Sequence, residues 1–119
     1  MRTIALDQRS LQLLREFLNG HPTPATTPLF LIDGRAFVSA EINQALTKRL
    51  TQLGLPRVTF HGLRHTHASV LLYQGVSVLS VSKRLGHSSI TTTQATYLHI
   101  IKELEAKDTD QILKILDRA

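Results

Sequence analysis

The segment Thr59–His67 carries polar side chains at helical spacing. If Thr59 caps a helix, His61 and Arg64 lie in its first turns, about 60° apart on one face. His65 follows His61 by four residues and joins that face. The start of a helix offers unpaired N–H groups and a positive dipole end, so an imidazole and a guanidinium there could hold a phosphate oxygen. The same side chains on a solvated face would do no chemistry, and spacing alone leaves both interpretations open.

The spacing of His61 and His65 is also that of two zinc ligands on one helix. The glutamate of a zinc-protease helix is absent, however, and the chain has no cysteine. No acidic residue nearby supplies a third ligand. We therefore expect no metal at this position.

A second group of residues begins where Gly86 follows Leu85. Glycine is favoured where a chain leaves a helix in the left-handed conformation, so His87 is predicted on a tight turn. Tyr97 comes ten residues later, behind three consecutive threonines, which are poor helix formers. The helix that carries Tyr97 is therefore predicted to be weakly held. Taken alone, a surface turn and a packed tyrosine would account for both residues without any chemistry.

The distribution of charge favours an anionic partner. The net charge is +5, and residues 42–102 hold seven basic side chains and no acidic one. Residues 1–41 are balanced, while residues 103–119 carry five acids and three bases. A field of this sign attracts polyanions, of which the phosphate backbone of nucleic acid is the commonest. Ordinary solubility charge remains an alternative explanation.

Apolar spacing, caps and turn residues predict a mainly helical fold with a small β-sheet, the α+β class, in one domain. In the helix that begins at Phe60, the side with Leu63, Val70 and Leu71 is predicted to face the core. Strands are predicted at residues 2–6, 29–32 and 36–38, with Asp33-Gly34 turning the chain between the last two. Helices are predicted at 8–18 behind Asp7, at 40–53 behind Ser39, at 60–74, at 77–85, from Ser88 or Ser89 to about Leu98, and in the last stretch.

Composition also narrows the cellular setting. No apolar run reaches the roughly 20 residues that span a bilayer, and the first residues lack the apolar stretch of a secretory signal. The absence of cysteine fits a reducing compartment. We therefore expect a cytoplasmic protein with no membrane partner.

Together and in this order, these residues resemble the C-terminal signature of tyrosine recombinases and phage integrases. The resemblance rests on His61-x-x-Arg64, on the Leu85-Gly86-His87 turn and on Tyr97. Arg64 precedes His87 by 23 positions, and Tyr97 follows after ten more. The local sequences around these residues are also similar to those of integrases from temperate phages and related mobile elements.

The resemblance implies the catalytic-domain fold of tyrosine recombinases over residues 1–119. Residues 1–56 would supply a small sheet and scaffold helices, and the match there is loose. Residues 57–100, where the match is close, would supply the active-site helices. Residues 101–119 would form a C-terminal tail.

The resemblance also implies a role for each matched side chain in site-specific DNA recombination. Tyr97 would attack a DNA phosphodiester, giving a 3′-phosphotyrosyl link and a free 5′-hydroxyl. Arg64 would bind the non-bridging oxygens, His61 would assist proton transfer at the tyrosine, and His87 would hydrogen-bond the phosphate. Rejoining reverses this chemistry, so neither ATP nor a metal nor another cofactor is implied. The implied partners are double-stranded DNA attachment sites and further copies of the protein, as a tetramer on DNA in a prokaryotic cell.

The sequence departs from the family at two catalytic positions. The family set also contains a first arginine and a lysine on a β-hairpin, and neither has a counterpart among the matched residues. Residues 2–6 resemble the strand after that hairpin, so we expect an N-terminally truncated catalytic domain that does not cleave DNA by itself. Two alternatives stay open, a non-enzymatic DNA-binding remnant of an integrase and a small helical interaction domain.

The last residues are acidic overall and amphipathic, with Ile112, Ile115 and Leu116 at helical spacing. In recombinases of this kind such a tail often docks on a neighbouring catalytic domain. We expect these side chains either to make that contact, in cis or in trans, or to pack on the chain's own core.

Overall fold

A computed structural model describes residues 3–32 and 34–119 of the chain. Contacts divide the chain into two compact units, with the division between Thr59 and Phe60. Within the described residues, the first unit contains two helices and a short β-hairpin, and the second contains four helices. The fold is thus mainly helical, as the sequence predicts.

Helix α1 runs from Gln8 to Gly20 in the first unit. The Asp7 carboxylate caps it by accepting a hydrogen bond from the Ser10 N–H at 3.3 Å, which satisfies one of the N–H groups that a helix start leaves unpaired. The predicted helix ends two residues earlier, a difference within the usual fraying of helix ends. Leu11 and Leu14 are half-buried, and no residue of α1 is fully buried.

A two-residue hairpin follows, formed by β1 (Leu31–Ile32) and β2 (Arg35–Ala36). The strands are antiparallel, with Leu31 opposite Ala36 and Ile32 opposite Arg35. Both strands are shorter than predicted, and Asp33 of the predicted turn lies outside the described residues. The predicted strand at residues 2–6 is not found: Arg2 lies outside the described part, and residues 3–6 are not in a strand.

Helix α2 spans Ser39–Gln52. It begins one residue earlier than predicted, so Ser39 is its first helical residue and not its cap. The cap is instead made from inside the helix, because the Glu41 carboxylate accepts a hydrogen bond from the Val38 N–H at 3.1 Å. Glu41 also pairs with Arg35 of the hairpin, and this exposed ion pair joins β2 to the start of α2.

The second unit consists of α3 (Phe60–Tyr73), α4 (Val78–Leu85), α5 (Ile90–Thr96) and α6 (Leu98–Asp117). Ser77 caps α4 and Ser89 caps α5, each through its side-chain oxygen, at 3.2 Å and 3.1 Å from the bonded N–H. Ser89 is one of the two caps that the sequence predicts for α5, whereas Ser77 is predicted as the first helical residue of α4 and is instead its cap. The predicted helix that reaches Leu98 ends earlier, at Thr96, because the helical conformation is interrupted at Tyr97, between α5 and α6.

The core of the second unit lies where α3, α4 and α6 meet. Its buried apolar residues are Ala68, Leu72, Val81, Leu85, Tyr97 and Ile100. The predicted core side of α3 is wrong for two of its three residues, since Leu63 is 43% and Val70 is 53% exposed. The buried positions of α3 are Ala68 and Leu72 instead, on the side that carries the polar residues.

The end of α6 lies outside this core. Ile112, Ile115 and Leu116 are each more than half exposed, so they do not pack with the buried residues, and their docking on another domain stays a prediction. None of the helices in the described ranges is long and apolar enough to cross a bilayer.

Candidate active site

One face of α3 serves both the core and the polar site. His61, Arg64 and His65 occupy its first two turns, and Ala68 and Leu72 continue the same face into the core. At 3.6 residues per turn, these five positions fall within an arc of about 100°. The packing of Ala68 and Leu72 therefore also fixes the direction in which the three polar side chains point.

Arg64 joins α3 to the end of α4. Its Nη2 donates a hydrogen bond to the Leu85 carbonyl oxygen at 2.6 Å, in a half-buried position. Leu85 is the last residue of α4, and Gly86 follows in the left-handed conformation with φ 76°, where other residues are strained. The guanidinium is thus bound to the turn that carries His87.

His87 joins this turn to α5. Its Nδ1 lies 2.6 Å from the Thr93 Oγ1, and its backbone N–H donates to the Ser82 carbonyl at 3.2 Å. Thr93 is fully buried and Ser82 is nearly so. Because one ring nitrogen contacts a buried hydroxyl and the backbone is bonded to α4, the imidazole has a defined orientation.

Tyr97 occupies the break between α5 and α6. Its backbone N–H donates to Thr93 and its carbonyl accepts from Ile101, each at 3.0 Å. The side chain is only 3% exposed, and its hydroxyl lies 2.8 Å from the Nδ1 of His65. The aromatic ring thus belongs to the core while its polar end reaches the first turns of α3.

The surroundings of the Tyr97 hydroxyl act on its ionisation in opposite directions. Burial raises the pKa of the phenol, and the positive charge of Arg64 acts to lower that pKa. An ordinary phenol is only about 0.1% ionised at pH 7, a handicap of roughly 4 kcal/mol for a nucleophile. The net rise in pKa increases that handicap, so a reacting Tyr97 requires a proton acceptor beside it.

His61 is separated from the phenol by one ring. The His61 and His65 rings meet edge to face with centroids 4.5 Å apart, and the His65 and Tyr97 centroids are 5.7 Å apart. The three rings form a continuous row, with exposed His61 at its outer end and buried Tyr97 at its inner end.

The four side chains chosen from the sequence therefore lie in one connected network. His61 and Tyr97 are linked through His65, and Arg64 exerts its charge on Tyr97. His87 is linked to Arg64 through the turn after α4. The network is contained within residues 60–119.

Two members of the network were not selected from the sequence. His65 was placed on the face of His61 by its four-residue spacing, but it was not chosen as a site residue. Thr93 stood in the threonine run with nothing to distinguish it from Thr91 and Thr92, because its burial depends on how α5 packs. In the ranges 3–32 and 34–119, no three histidine, cysteine, aspartate or glutamate side chains are grouped so that they could hold a metal ion.

Comparison with known proteins gives the family. The phage integrase family matches residues 1–103, a span that includes all four selected side chains. The chain belongs to the phage integrase family. No solved structure matches it.

Several relatives carry names of this family. Tyrosine recombinase XerC of Bradyrhizobium diazoefficiens is 37% identical over 97 residues, covering 78% of this chain and 30% of the relative. The integrase of Staphylococcus phage L54a is 26% identical over 125 residues, covering 97% of this chain and 35% of the integrase. Transposase A from transposon Tn554 of Staphylococcus aureus is 44% identical over 55 residues, covering 46% of this chain and 15% of the transposase. The chain thus spans about a third or less of the length of these relatives.

Proposed function

We propose that this chain carries the nucleophile and part of the phosphate-binding site of a site-specific tyrosine recombinase, which cuts and rejoins DNA through a 3′-phosphotyrosyl intermediate. The observation that carries the proposal is the meeting of Tyr97, His65 and Arg64 at the start of α3, with the His87 turn bound to the same guanidinium. A phenol, an imidazole and a guanidinium around one point are suited to phosphoryl transfer onto tyrosine.

Each side chain then has a defined task. The Tyr97 hydroxyl attacks phosphorus, and Arg64 and His87 donate hydrogen bonds to the non-bridging oxygens, where negative charge builds up. One well-placed donor of this kind contributes about 10²–10³ in rate. The guanidinium has five N–H donors, and its bond to Leu85 uses one of them. His61 assists proton transfer at the phenol, from which it is separated by the ring of His65.

Cleavage requires that the phenol be uncovered first, because Tyr97 is 3% exposed. The element best suited to move is α5, which is seven residues long and contains five residues of low helix propensity, four threonines and one isoleucine. A shift of α5 is coupled to Tyr97, since the Tyr97 N–H is bonded to Thr93, and it would uncover the phenolic hydroxyl at its contact with His65. We therefore expect the described arrangement to be a resting state.

DNA binding is supported by a basic groove in the first unit. An open groove of about 550 Å³ is lined by Ala40, Asn43, Gln44, Thr47, Lys48 and Arg57. The lining holds two cations, two amides and a hydroxyl but no carboxylate, a composition that suits contact with a phosphate backbone. All of the lining residues except Ala40 lie in the stretch from residue 42 to 102, which contains no acidic residue and includes most of the second unit.

A chimera tests the chemistry. This chain replaces the matched segment of the Bradyrhizobium relative, and the product is incubated with a nicked duplex carrying that relative's recombination site. We expect a covalent protein–DNA adduct that is abolished by Tyr97→Phe and reduced at least about 100-fold by Arg64→Ala. Tyr73→Phe is the matched control and should leave the adduct unchanged. An adduct that survives Tyr97→Phe would contradict the proposal.

The chain alone should give no adduct with the same duplex. The first arginine and the hairpin lysine of the family have no counterpart among its matched residues, so one phosphate clamp and the acid for the leaving 5′-oxygen are lacking. Efficient adduct formation by the 119-residue chain would show that these groups are not required.

DNA affinity is tested by its salt dependence. We expect Lys48→Ala with Arg57→Ala to reduce the slope of log K against log salt by about 1–2, since each phosphate contact contributes roughly 0.9. The control is Arg9→Ala with Arg15→Ala, which removes the same charge from α1, outside the carboxylate-free stretch. Equal effects of the two pairs would argue against the groove.

A non-enzymatic DNA-binding module is the second candidate. The observation that favours it is the buried phenol, whose pKa burial raises. A chimera that binds the duplex normally but forms no adduct would establish this alternative.

In the first candidate, the full recombinase acts as a tetramer on double-stranded attachment sites in the cytoplasm of a prokaryotic cell.

A further inference from the structure

The side chain in direct contact with the phenolic oxygen is His65. Its Nδ1 lies 2.8 Å from the Tyr97 hydroxyl, and its ring meets the Tyr97 ring at 64°. The ring of His61 packs against its other side at a centroid distance of 4.5 Å. His65 is itself half-buried, and its ring lies between those of His61 and Tyr97.

Proton transfer from the phenol requires one arrangement of the hydrogen in this contact. A phenol that donates to Nδ1 needs that nitrogen to be unprotonated. The ring proton of neutral His65 then resides on Nε2. The contact thus has the form of a nucleophile hydrogen-bonded to its base.

Within the described part of the chain, no other side chain beside the hydroxyl can take its proton as directly. The two titratable side chains that face the hydroxyl among the described residues are His65 and Arg64, both from α3. Arg64 stays protonated and has no acceptor. On α5 the nearest buried polar group is Thr93, bonded to His87, and the α6 neighbour Ile100 is apolar.

We propose that His65 orients the Tyr97 hydroxyl and accepts its proton when the phenol attacks phosphorus. This inference rests on the proposed function. In the step, the Tyr97 O–H bond breaks and an Nδ1–H bond forms on His65. A bond forms between the phenolic oxygen and phosphorus, the bond from phosphorus to the 5′-oxygen breaks, and the departing oxygen takes a proton from water. On rejoining, His65 returns the proton to the phenol.

The test uses the 119-residue chain and a dialkyl fluorophosphate probe. Fluoride leaves phosphorus without a proton, so the probe reports activation of the nucleophile alone. Phosphorylation of Tyr97 is followed by mass spectrometry at a series of pH values from about 5 to about 9. We expect the rate to rise through one inflection as the imidazole loses its proton.

Three variants separate the possible roles of His65. His65→Phe keeps a planar ring but removes the acceptor, and should slow labelling about 100-fold and abolish the inflection. His65→Gln keeps a hydrogen-bond partner that cannot take a proton, and should be equally slow. Full activity in His65→Gln would reduce His65 to a positioning residue and overturn proton acceptance. His99→Phe, at an exposed position on α6, is the control and should label normally.

A measurement on the unmodified chain avoids any dependence on how the variants fold. The ¹⁵N chemical shifts of His65 should identify Nδ1 as the unprotonated nitrogen. A dominant Nδ1–H form would overturn the inference.

Failure of this inference is distinguishable from failure of the proposed function. If the chimera carrying His65→Phe forms the DNA adduct at the unmodified rate, the recombinase assignment stands and the role of His65 is wrong. If the unmodified chimera forms no adduct through Tyr97, the assignment itself fails, whatever the probe reports.

Discussion

The two units of the chain are stabilised in different ways. In the second unit α3, α4 and α6 share a core that completely or almost completely covers eight side chains, including Tyr97. In the described part of the first unit no side chain is fully buried. Its apolar residues pack in smaller groups, such as the rings of Phe17, Phe30 and Phe37, whose neighbouring centroids are 5.3 Å and 6.5 Å apart.

This difference explains where the candidate site can be built. A catalytic side chain must be held within a fraction of an ångström of its working position, and buried neighbours provide that constraint. The network of Arg64, His65, His87 and Tyr97 lies entirely in the unit that has a core. The first unit offers exposed cations, which suit contacts to a phosphate backbone that tolerate more movement.

The largest expected effect comes from opening the core of the second unit. Leu72 is 1% exposed, so Leu72→Ala should lower the free energy of unfolding by about 2–5 kcal/mol. Leu53 of the first unit is 71% exposed, and Leu53→Ala should change the free energy of unfolding by less than about 0.5 kcal/mol. Urea unfolding followed by circular dichroism measures both, and similar losses would remove the distinction between the units.

The next effect comes from the Arg64 hydrogen bond. Arg64→Ala leaves the carbonyl of buried Leu85 without this donor and should cost about 1–3 kcal/mol. Arg35→Ala breaks the exposed pair with Glu41 in the first unit, and its unfolding midpoint should stay within error because exposed ion pairs contribute little. A larger loss from Arg35→Ala than from Arg64→Ala would contradict the comparison.

A smaller effect appears as opposite pH sensitivities of the two units. Because burial raises the pKa of Tyr97, its contribution to stability is present at neutral pH and is lost as pH rises past about 10, by at most about 1.4 kcal/mol per pH unit. In the first unit, hydrogen bonds from Ser10 and Arg35 lower the pKa values of Asp7 and Glu41. Their contribution is present at neutral pH and is lost as pH falls below about 4.

Residue-resolved NMR intensities followed along pH can separate these two transitions. Tyr73 has a raised pKa through its hydrogen bond to Glu103, so the alkaline measurement is made in Tyr73→Phe. Adding Tyr97→Phe should then flatten the alkaline loss in residues 60–119. Asp7→Asn should flatten the acid loss in α1 and leave the second unit unaffected.

The smallest effect on stability is expected at the end of α6. Ile115→Ser with Leu116→Ser should change the unfolding free energy by less than about 0.5 kcal/mol, because these side chains are 57% and 63% exposed. If they dock on another copy, deleting residues 108–119 should lower the mass measured by light scattering. An unchanged mass would exclude assembly through this tail.

The parts of the fold that were predictable are those determined by local chemistry. Asp7, Ser77 and Ser89 mark helix starts because their side chains accept from the first N–H groups, and Gly86 marks a helix end because φ there is 76°. Each of these signals depends on a few consecutive residues. The set His61, Arg64, His87 and Tyr97 was instead identified through its resemblance, in order and spacing, to the signature of tyrosine recombinases.

What could not be predicted depends on packing between elements. The core side of α3 was misassigned because Ala68, a small residue, is buried whereas the larger Leu63 and Val70 are not. The contact between His65 and Tyr97 joins residues 32 positions apart, and no local pattern encodes it. The interruption of the helix at Tyr97 was not predicted for the same reason, because it depends on how the Tyr97 ring packs in the core.

The shared face of α3 determines how partial inactivation of this protein would appear in an assay. Ala68 and Leu72 lie in line with His61, Arg64 and His65, so rotating the helix by one position would uncover the core and turn away the polar groups in a single motion. Packing and reactivity are therefore lost together. A partly inactivated preparation should contain two populations, folded molecules with a fully reactive site and molecules with no reactive site. Titration of the reactive sites should give the number of fully reactive molecules.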